Sequence, residues 1–369
     1  MIKTYDDSSN YYPRVTANLK KLQENAEEIK RLCEENGISL AAVIKGFTGI
    51  PECVMAISKA NCQYIASSRL EQITDAIEFG IPGPFMLLRL PQLCDVDEVV
   101  SLCEISLNSE LPALIALNEA AKEQSKIHKV ILMADLGDLR EGFWDRDELA
   151  DAAAFVEFDL DNLYLAGVGT NVGCYGSIKP TAEKLTELVD CAEKIEAKIN
   201  RKLDIISGGA STSLIRLIDG DMPDRINHLR VGEAIFNAKD NQDLYGCNTE
   251  FLYRDVFTLK AQVIEVKVKP THPVGEILFD AYGMKQEYID RGMRKRALLA
   301  LGKVDFAFTD MIYPRDEGVE IIGASSDHTI IDVEDAKHDF KVGDIMEFDL
   351  SYASSVYVTN SPNVRVVIE

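Results

Sequence analysis

SLAAVIKGFTG, residues 39–49, decides how this chain is read. The apolar run Leu40 to Ile44 has the length of a buried strand, and Lys45 closes it ahead of Gly46 and Thr48. Such a run predicts a parallel strand that delivers an amine to the mouth of a sheet. Seven more runs of the same kind follow: QYIAS (63–67), FMLLRL (85–90), ISLN (105–108), KVILMADL (129–136), LYLAGVGTN (163–171), LDIISGG (203–209) and HLRVGEAIF (228–236). Helix-length segments separate them, among them SSRLEQITDAIEFG, SELPALIALNEAAKEQS and KPTAEKLTELVDCAEKIEAKIN. In the last, Ala182, Leu185, Leu188, Val189, Ala192, Ile195 and Ile199 share one helical face. A further helix is expected over Asn18–Glu35, ended by Asn36-Gly37. Eight strand–helix units in series predict a closed (β/α)₈ TIM barrel over roughly residues 12–240, with residues 1–240 as its domain. An open doubly wound sheet is the competing architecture.

Beyond Asp240 the texture changes. After the connector NQDLYGCNTE come FTLKAQVIEVKVK, GEILFDAYG, KRALLALGK, VEIIGASSDHTIIDV and DIMEFDL, all with period-two patterning. Residues 241–369 therefore read as a C-terminal β domain, with KVGD (341–344) as a turn within it. The chain of 369 residues carries a net charge of −22, which disfavours nucleic acid and anionic membranes as partners. No apolar stretch reaches the roughly 18 residues of a membrane span. The opening MIKTYDDSSNYYPR, expected as coil, lacks the apolar core of a secretory signal. Eight scattered cysteines without a CxxC pair read as reduced thiols of a cytoplasmic protein. Five histidines form no HxH or HExxH pattern, so no metal is expected.

In a barrel of this kind the strand ends converge on one mouth. Lys45 ends the first strand, Arg140 follows the fifth, Asn171 ends the sixth, Ser207-Gly208-Gly209 ends the seventh, and Arg230-Val231-Gly232 lies at the eighth. Each alone has a bland reading. A lysine after a strand is usually solvated, Arg140 has acidic neighbours to pair with, Arg230 has Glu233, and paired glycines make tight turns. Their convergence is what carries weight. In SGGAST, Gly208 and Gly209 let backbone approach an anion, Ser211 and Thr212 offer hydroxyls, and a helix begins just beyond. The segment is neither GxGxxG nor a Walker loop, so a simple phosphate is expected there rather than a dinucleotide. An amine, two arginines and a phosphate cradle are the parts that hold a phosphorylated aldehyde as a Schiff base. Pyridoxal 5′-phosphate is the cofactor this implies. An arginine facing the cofactor's ring nitrogen can only donate, which suits brief proton removal and return rather than transamination.

At these residues the chain resembles the alanine racemase family of fold-type III pyridoxal phosphate enzymes, and most closely its ornithine-type branch. The resemblance rests on AVIKGF, RLPQLCDVDEV, SLNSEL, ILMADLGDLREGFW, GVGTNVGCYG, ISGGAST, HLRVGEAIF and GASSDHTIID. It implies an amino acid racemase, with ornithine favoured as substrate over alanine or a broad range of amino acids. It implies Lys45 as the Schiff-base lysine and Arg230 as the ring-nitrogen partner. Arg140 is then near the phenolic oxygen and the substrate carboxylate, with Ser211, Thr212 and the Gly232-Glu233 backbone around the phosphate. Three positions depart from alanine racemases: Gly49 stands for a tyrosine, Asn171 for a histidine that stacks on the ring, and Met133 for a lysine often carbamylated. All three point away from alanine as substrate. The resemblance also implies a homodimer with shared sites, in which Tyr282 supplies the second catalytic base and Asp327 and His328 reach the neighbouring substrate. A cofactor-binding barrel lacks the β domain. A fold-type III decarboxylase has a cysteine-centred motif there, and Cys247 precedes it. A metal-assisted aldolase or dehydratase needs a ligand pair that His328 and His338 do not make. A cofactor-free Schiff-base aldolase leaves the cradle unexplained.

Overall fold

The run before Lys45 is a strand, β1 (Ser39–Val43), lying between the last and second strands of a closed parallel barrel. The structure, a computed structural model, describes residues 4–5 and 10–369. The other barrel strands are β2 (Tyr64–Ser67), β3 (Phe85–Leu87), β4 (Ile105–Asn108), β5 (His128–Ala134), β6 (Leu163–Thr170), β7 (Ile205–Ser207) and β8 (His228–Val231). All eight expected strands form, and β8 closes on β1 with Arg230 opposite Ala41 and Val231 opposite Ala42. Alternate residues of these strands, among them Val43, Met86, Leu107, Ile131 and Met133, pack into one buried cluster. Each large side chain there contributes about 1.5–3 kcal/mol of burial, enough to hold the strand ends in register. The intervening sequences are helical: Leu70–Glu78, Leu111–Glu123 and Ala182–Ile199 occupy the expected places. The last starts at a Thr181 cap, whose hydroxyl accepts from the Lys184 amide at 3.1 Å, and stops at Asn200 with φ +56°. The first barrel helix runs Leu19–Glu35, one residue short of expectation.

The chain divides into two compact units, and the division differs from a split at residue 240. Lys20–Arg254 form the first unit, while the N-terminal stretch ending at Leu19 belongs with Asp255–Glu369. Hydrogen bonding explains both shifts. The connector stays with the barrel because Thr249 donates to Ala238 O at 3.0 Å and the Tyr253 amide donates to Asn25 Oδ1 at 2.8 Å. The N-terminal strand Arg14–Ala17 leaves it because Thr16 pairs with Thr258 and Arg14 with Arg365. Thr4–Tyr5 and Arg14–Ala17 are thus strands where coil was expected; residues 1–3 and 6–9 of that opening lie outside the described residues.

The second unit is the expected β domain, built on the long strand Phe257–Pro270 paired with Met293–Leu299 and Ile345–Leu350. KVGD is a turn, with the Lys341 amide donating to Asp344 Oδ2 at 2.8 Å. GEILFDAYG is not a strand. Residues 271–292 form a loop, and Leu278 and Phe279 stay about 70% exposed (72% and 69%). Alternation there found no neighbouring strand to pair with, and the Asp280 carboxylate bends the backbone by accepting the Tyr282 and Met284 amides. A helix absent from the pattern, Tyr352–Asn360, follows a Ser351 cap. Among the described residues no helix is long and apolar enough to cross a membrane.

Candidate active site

Lys45 leaves β1 in a single tight helical turn, Lys45–Phe47, which Phe47 anchors by packing edge-to-face on Phe236 at 5.7 Å. Phe236 ends the short helix Glu233–Phe236 after β8, so the lysine turn and the end of the last strand are locked side by side. Burial, with the Arg140 and Arg230 charges, holds the Lys45 amine below its ordinary range. Gly49, in the place of a tyrosine, has φ +64°, and a Cβ there would meet Gln72 Cβ at 2.8 Å. This backbone therefore excludes a side chain at that position.

Arg230 is buried inside the barrel on β8. One guanidinium nitrogen donates to the Ser207 hydroxyl on β7 and another to Thr170 O on β6 at 2.7 Å. Among the described residues no carboxylate forms an ion pair with it, and burial brings its pKa down to about 10, still a cation at neutral pH. The Ser207 hydroxyl lies 2.8 Å from His228 Nδ1, and burial with the Arg230 charge lowers that imidazole to about 3. Because Arg230 donates to Ser207, the hydroxyl in turn donates a hydrogen bond to Nδ1, so the neutral imidazole carries its hydrogen on Nε2, which has no partner among the described residues. Thr170 and His228 were not singled out from sequence, and Ser207, read there as part of the anion cradle, is bonded to Arg230 instead. The usable signal was period two: Ser207 and His228 pair directly and share a face with Gly209 and Arg230.

At SGGAST the backbone turns tightly and the Ser211 hydroxyl draws in two amides from the end of β8. Gly209 has φ +116° and a Cβ would meet Ser213 Oγ at 2.6 Å, while a Cβ on Gly232 would meet Val43 Cβ at 2.9 Å. The Ser211 hydroxyl oxygen accepts the Gly232 and Ala234 amides, each at 3.2 Å, so those two N–H groups converge on one oxygen. Thr212 donates to Val172 O at 3.1 Å, and Ser213 donates to Gly208 O at 2.8 Å. The Ala234 amide is a donor at this turn that sequence reading did not name. Glu233, between the two amides, is a carboxyl pushed up to about 8 by burial and by Asp240.

Arg140 sits in the loop after β5, and Asn171 follows β6 half-buried. Asp138, 1% exposed, ties these two loops together by accepting the Cys174, Tyr175 and Ile178 amides. Arg140 consequently donates to Cys174 Sγ at 3.3 Å and forks onto the Glu141 carboxylate, with one bond of 2.5 Å. Neither Asp138 nor Glu141 carries a sequence signal, because both look like ordinary loop acids. Met133 is fully buried and apolar. In a chain of net charge −22, three basic side chains, Lys45, Arg140 and Arg230, lie within one another's fields.

Tyr282, Asp327 and His328 belong to the second unit. Tyr282 is 47% exposed, with the Lys303 ammonium 4.7 Å over its ring. Asp327 and His328 are exposed at a hairpin tip, where the Ser325 amide donates to His328 O at 2.8 Å. Lys303 and Val304 amides donate to Ser325 and Ser326 carbonyls, so the tyrosine and the tip share one region of this domain.

Comparison with known proteins places these features in a family. The alanine racemase N-terminal domain matches residues 17–240. Ornithine racemase from Acetoanaerobium sticklandii is 40% identical over 346 residues, 93% of this chain and 96% of that protein. Lysine racemase from Thermotoga maritima is 37% identical over 97% of this chain and 99% of its own length. The crystal structure of alanine racemase from Streptomyces lavendulae superposes with a TM-score of 0.74 at 17% identity, over 98% of each chain, which shows the shared fold.

Proposed function

The chain belongs to the alanine racemase family and is an amino acid racemase; we propose that its substrate is ornithine and its cofactor pyridoxal 5′-phosphate. The observation that carries the cofactor is a buried, low-pKa lysine between two arginines, beside amides that converge on one oxygen. When bound, the cofactor supplies an aldehyde for amine condensation and an electron-withdrawing ring that makes the substrate α-proton acidic.

In this reading the lowered pKa favours the neutral form of Lys45, which would hold the cofactor through its amine and, once the substrate amine had displaced it there, would be free to take a proton from one face of the α-carbon. Arg230 would donate to the ring nitrogen, with Ser207 and Thr170 holding its plane. The Gly232 and Ala234 amides, which here donate to the Ser211 hydroxyl, would turn to a phosphate oxygen, with Gly208, Gly209, Ser211 and Thr212 shaping the rest of that pocket and Glu233 beside it. Arg140 would hold the substrate carboxylate, and Asn171 would line the ring site. Return of a proton to the other face needs a second base. Tyr282 of a second copy is our assignment for it, in a head-to-tail homodimer where Asp327 and His328 also approach the substrate. Eight free thiols fit a reducing cytoplasm.

Ornithine is supported by two relatives named for amino acids that end in an amine. Chiral chromatography of L-ornithine, L-lysine and L-alanine incubated with the purified protein tests it. Fastest conversion is expected for ornithine; conversion of alanine with ornithine untouched would overturn the assignment.

A further inference from the structure

We propose that Glu141 is the positioning residue of this site: it aims Arg140 and supplies the carboxylate among the three basic side chains. The catalytic half of this proposal rests on the racemase reading; the electrostatic half does not.

The geometry is a fork. Arg140 Nε and one terminal nitrogen both donate to the Glu141 carboxylate, which uses both of its oxygens on the same guanidinium. Such a two-point bond sets the plane of the arginine as well as its place. The third nitrogen is directed at Cys174. Neighbouring residues rarely make this bond, because extended backbone sends successive side chains to opposite sides. Here the loop is bent and held at both ends. Leu139 has φ +56°. Upstream, Asp135 Oδ1 accepts the Gly137 and Leu139 amides at 2.8 and 3.1 Å. Downstream, Phe143 N donates to Met133 O at 2.8 Å and Asp135 N to Phe143 O at 3.1 Å, which adds a rung beside β5. Residues 140 and 141 are therefore presented by a closed frame.

The charge of Glu141 reaches beyond its partner. It opposes the loss of proton affinity at both Lys45 and Arg230, against Arg140, which promotes it at both. Among the described residues neither Lys45 nor Arg230 is in an ion pair, and Met133 on β5 brings no charge. The groups whose charges bear on Lys45 are Arg140, Cys174, Glu141 and Arg230, and Glu141 is the carboxylate among them. Without it, Cys174 is left to oppose the two guanidinium groups at the amine, and Arg140 loses its plane.

The test begins on the cofactor-free protein. The pH dependence of Lys45 acetylation by acetic anhydride, followed by mass spectrometry, is compared in wild type, Glu141→Gln and Glu141→Asp. Glu141→Gln should move the profile to lower pH; Glu141→Asp, which keeps the charge, should leave it near wild type. In cofactor-loaded enzyme, Glu141→Gln should lose about 10- to 100-fold in kcat/KM, as expected for a misaimed binding group. Glu141→Asp should recover part of that. The double variant Arg140→Ala/Glu141→Gln should be no worse than Arg140→Ala alone. An unmoved acetylation profile in Glu141→Gln would remove the electrostatic role, and additive losses in the double variant would remove the positioning role. If Glu141→Gln does not fold, Glu141→Asp decides: full activity with a wild-type profile overturns the positioning role. Failure of the racemase reading would appear separately, as wild-type protein with no activity and an acetylation profile that still shifts.

Discussion

Two aspartates do similar work in the two units, with different reach. Asp138 accepts amides 36, 37 and 40 residues away, is 1% exposed, and joins the loops after β5 and β6. Asp280 accepts amides two and four residues away and the Gln286 side chain at 2.9 Å, inside a loop whose apolar side chains face outward. The first carboxylate fixes one segment against another through buried hydrogen bonds; the second shapes its own turn and reaches beyond it through a 3.8 Å ion pair with Lys303. Chemistry at the barrel rim is thus preorganised by the fold. Tyr282, two residues beyond Asp280, is held by its turn and by the Lys303 ammonium over its ring, and stays 47% exposed. That contrast is open to experiment.

The largest effect is expected at the preorganised end. Lys45→Ala should reduce racemisation by about 10⁴-fold or more and abolish the visible absorption of bound cofactor. A borohydride-reducible adduct surviving in that variant would show that another amine does the work. Next, Tyr282→Phe should lose about 10²-fold or more as a proton donor. Mixing Lys45→Ala and Tyr282→Phe proteins should restore part of the activity if a second copy completes each site. Full activity of Tyr282→Phe alone would leave the loop without a catalytic part.

Stability should separate the two regions as well. Burial pushes Glu233 up to about 8 in the cradle, above its ordinary 4.5. The folded state then binds the extra proton between those values, so its contribution is full below about 4.5 and is lost as pH rises toward 8. Linkage puts that loss on the order of 4 kcal/mol, and Glu233→Gln should flatten the urea-unfolding stability over the same range. A wild-type protein with flat stability from pH 5 to 8 would contradict this. At Asp280, in contrast, hydrogen bonds from its own turn hold the carboxyl below its usual range. Asp138→Ala leaves three amides without their acceptor and should cost about 3 kcal/mol, with a parallel fall in activity. Asp280→Ala exposes its amides to water and should cost about 0.5 kcal/mol or less. Equal losses at the two aspartates would erase the distinction drawn between the regions.

How much of this was legible follows the same line. Strands written as continuous apolar runs, and the residues that end them, were readable because burial on both faces leaves a pattern in adjacent residues. Lys45, Arg140, Arg230 and the glycine-serine turn were picked out that way, and the structure places each at or just beyond a barrel strand end. GEILFDAYG misled because alternation reports a half-buried face only when a neighbour covers the other half, and none does. SYASSVYVTN hid a helix behind β-branched residues, where a Ser351 cap and burial of Val358 outweigh local preference.

What the amino-acid order determined alone is the barrel, the eight strand ends and the identity of their groups, since these depend on periodicity and on the convergence of a closed parallel sheet. Only the tertiary structure decided that Arg140 is clamped by its own neighbour Glu141, that Ser207 and His228 stand behind Arg230, and that the Ala234 amide is a donor at the Ser211 turn. It also decided that Arg14–Ala17 completes the sheet of the opposite end of the chain. Each of these is a contact between short segments with no pattern of their own, fixed by hydrogen bonds that form only once distant strands are in register.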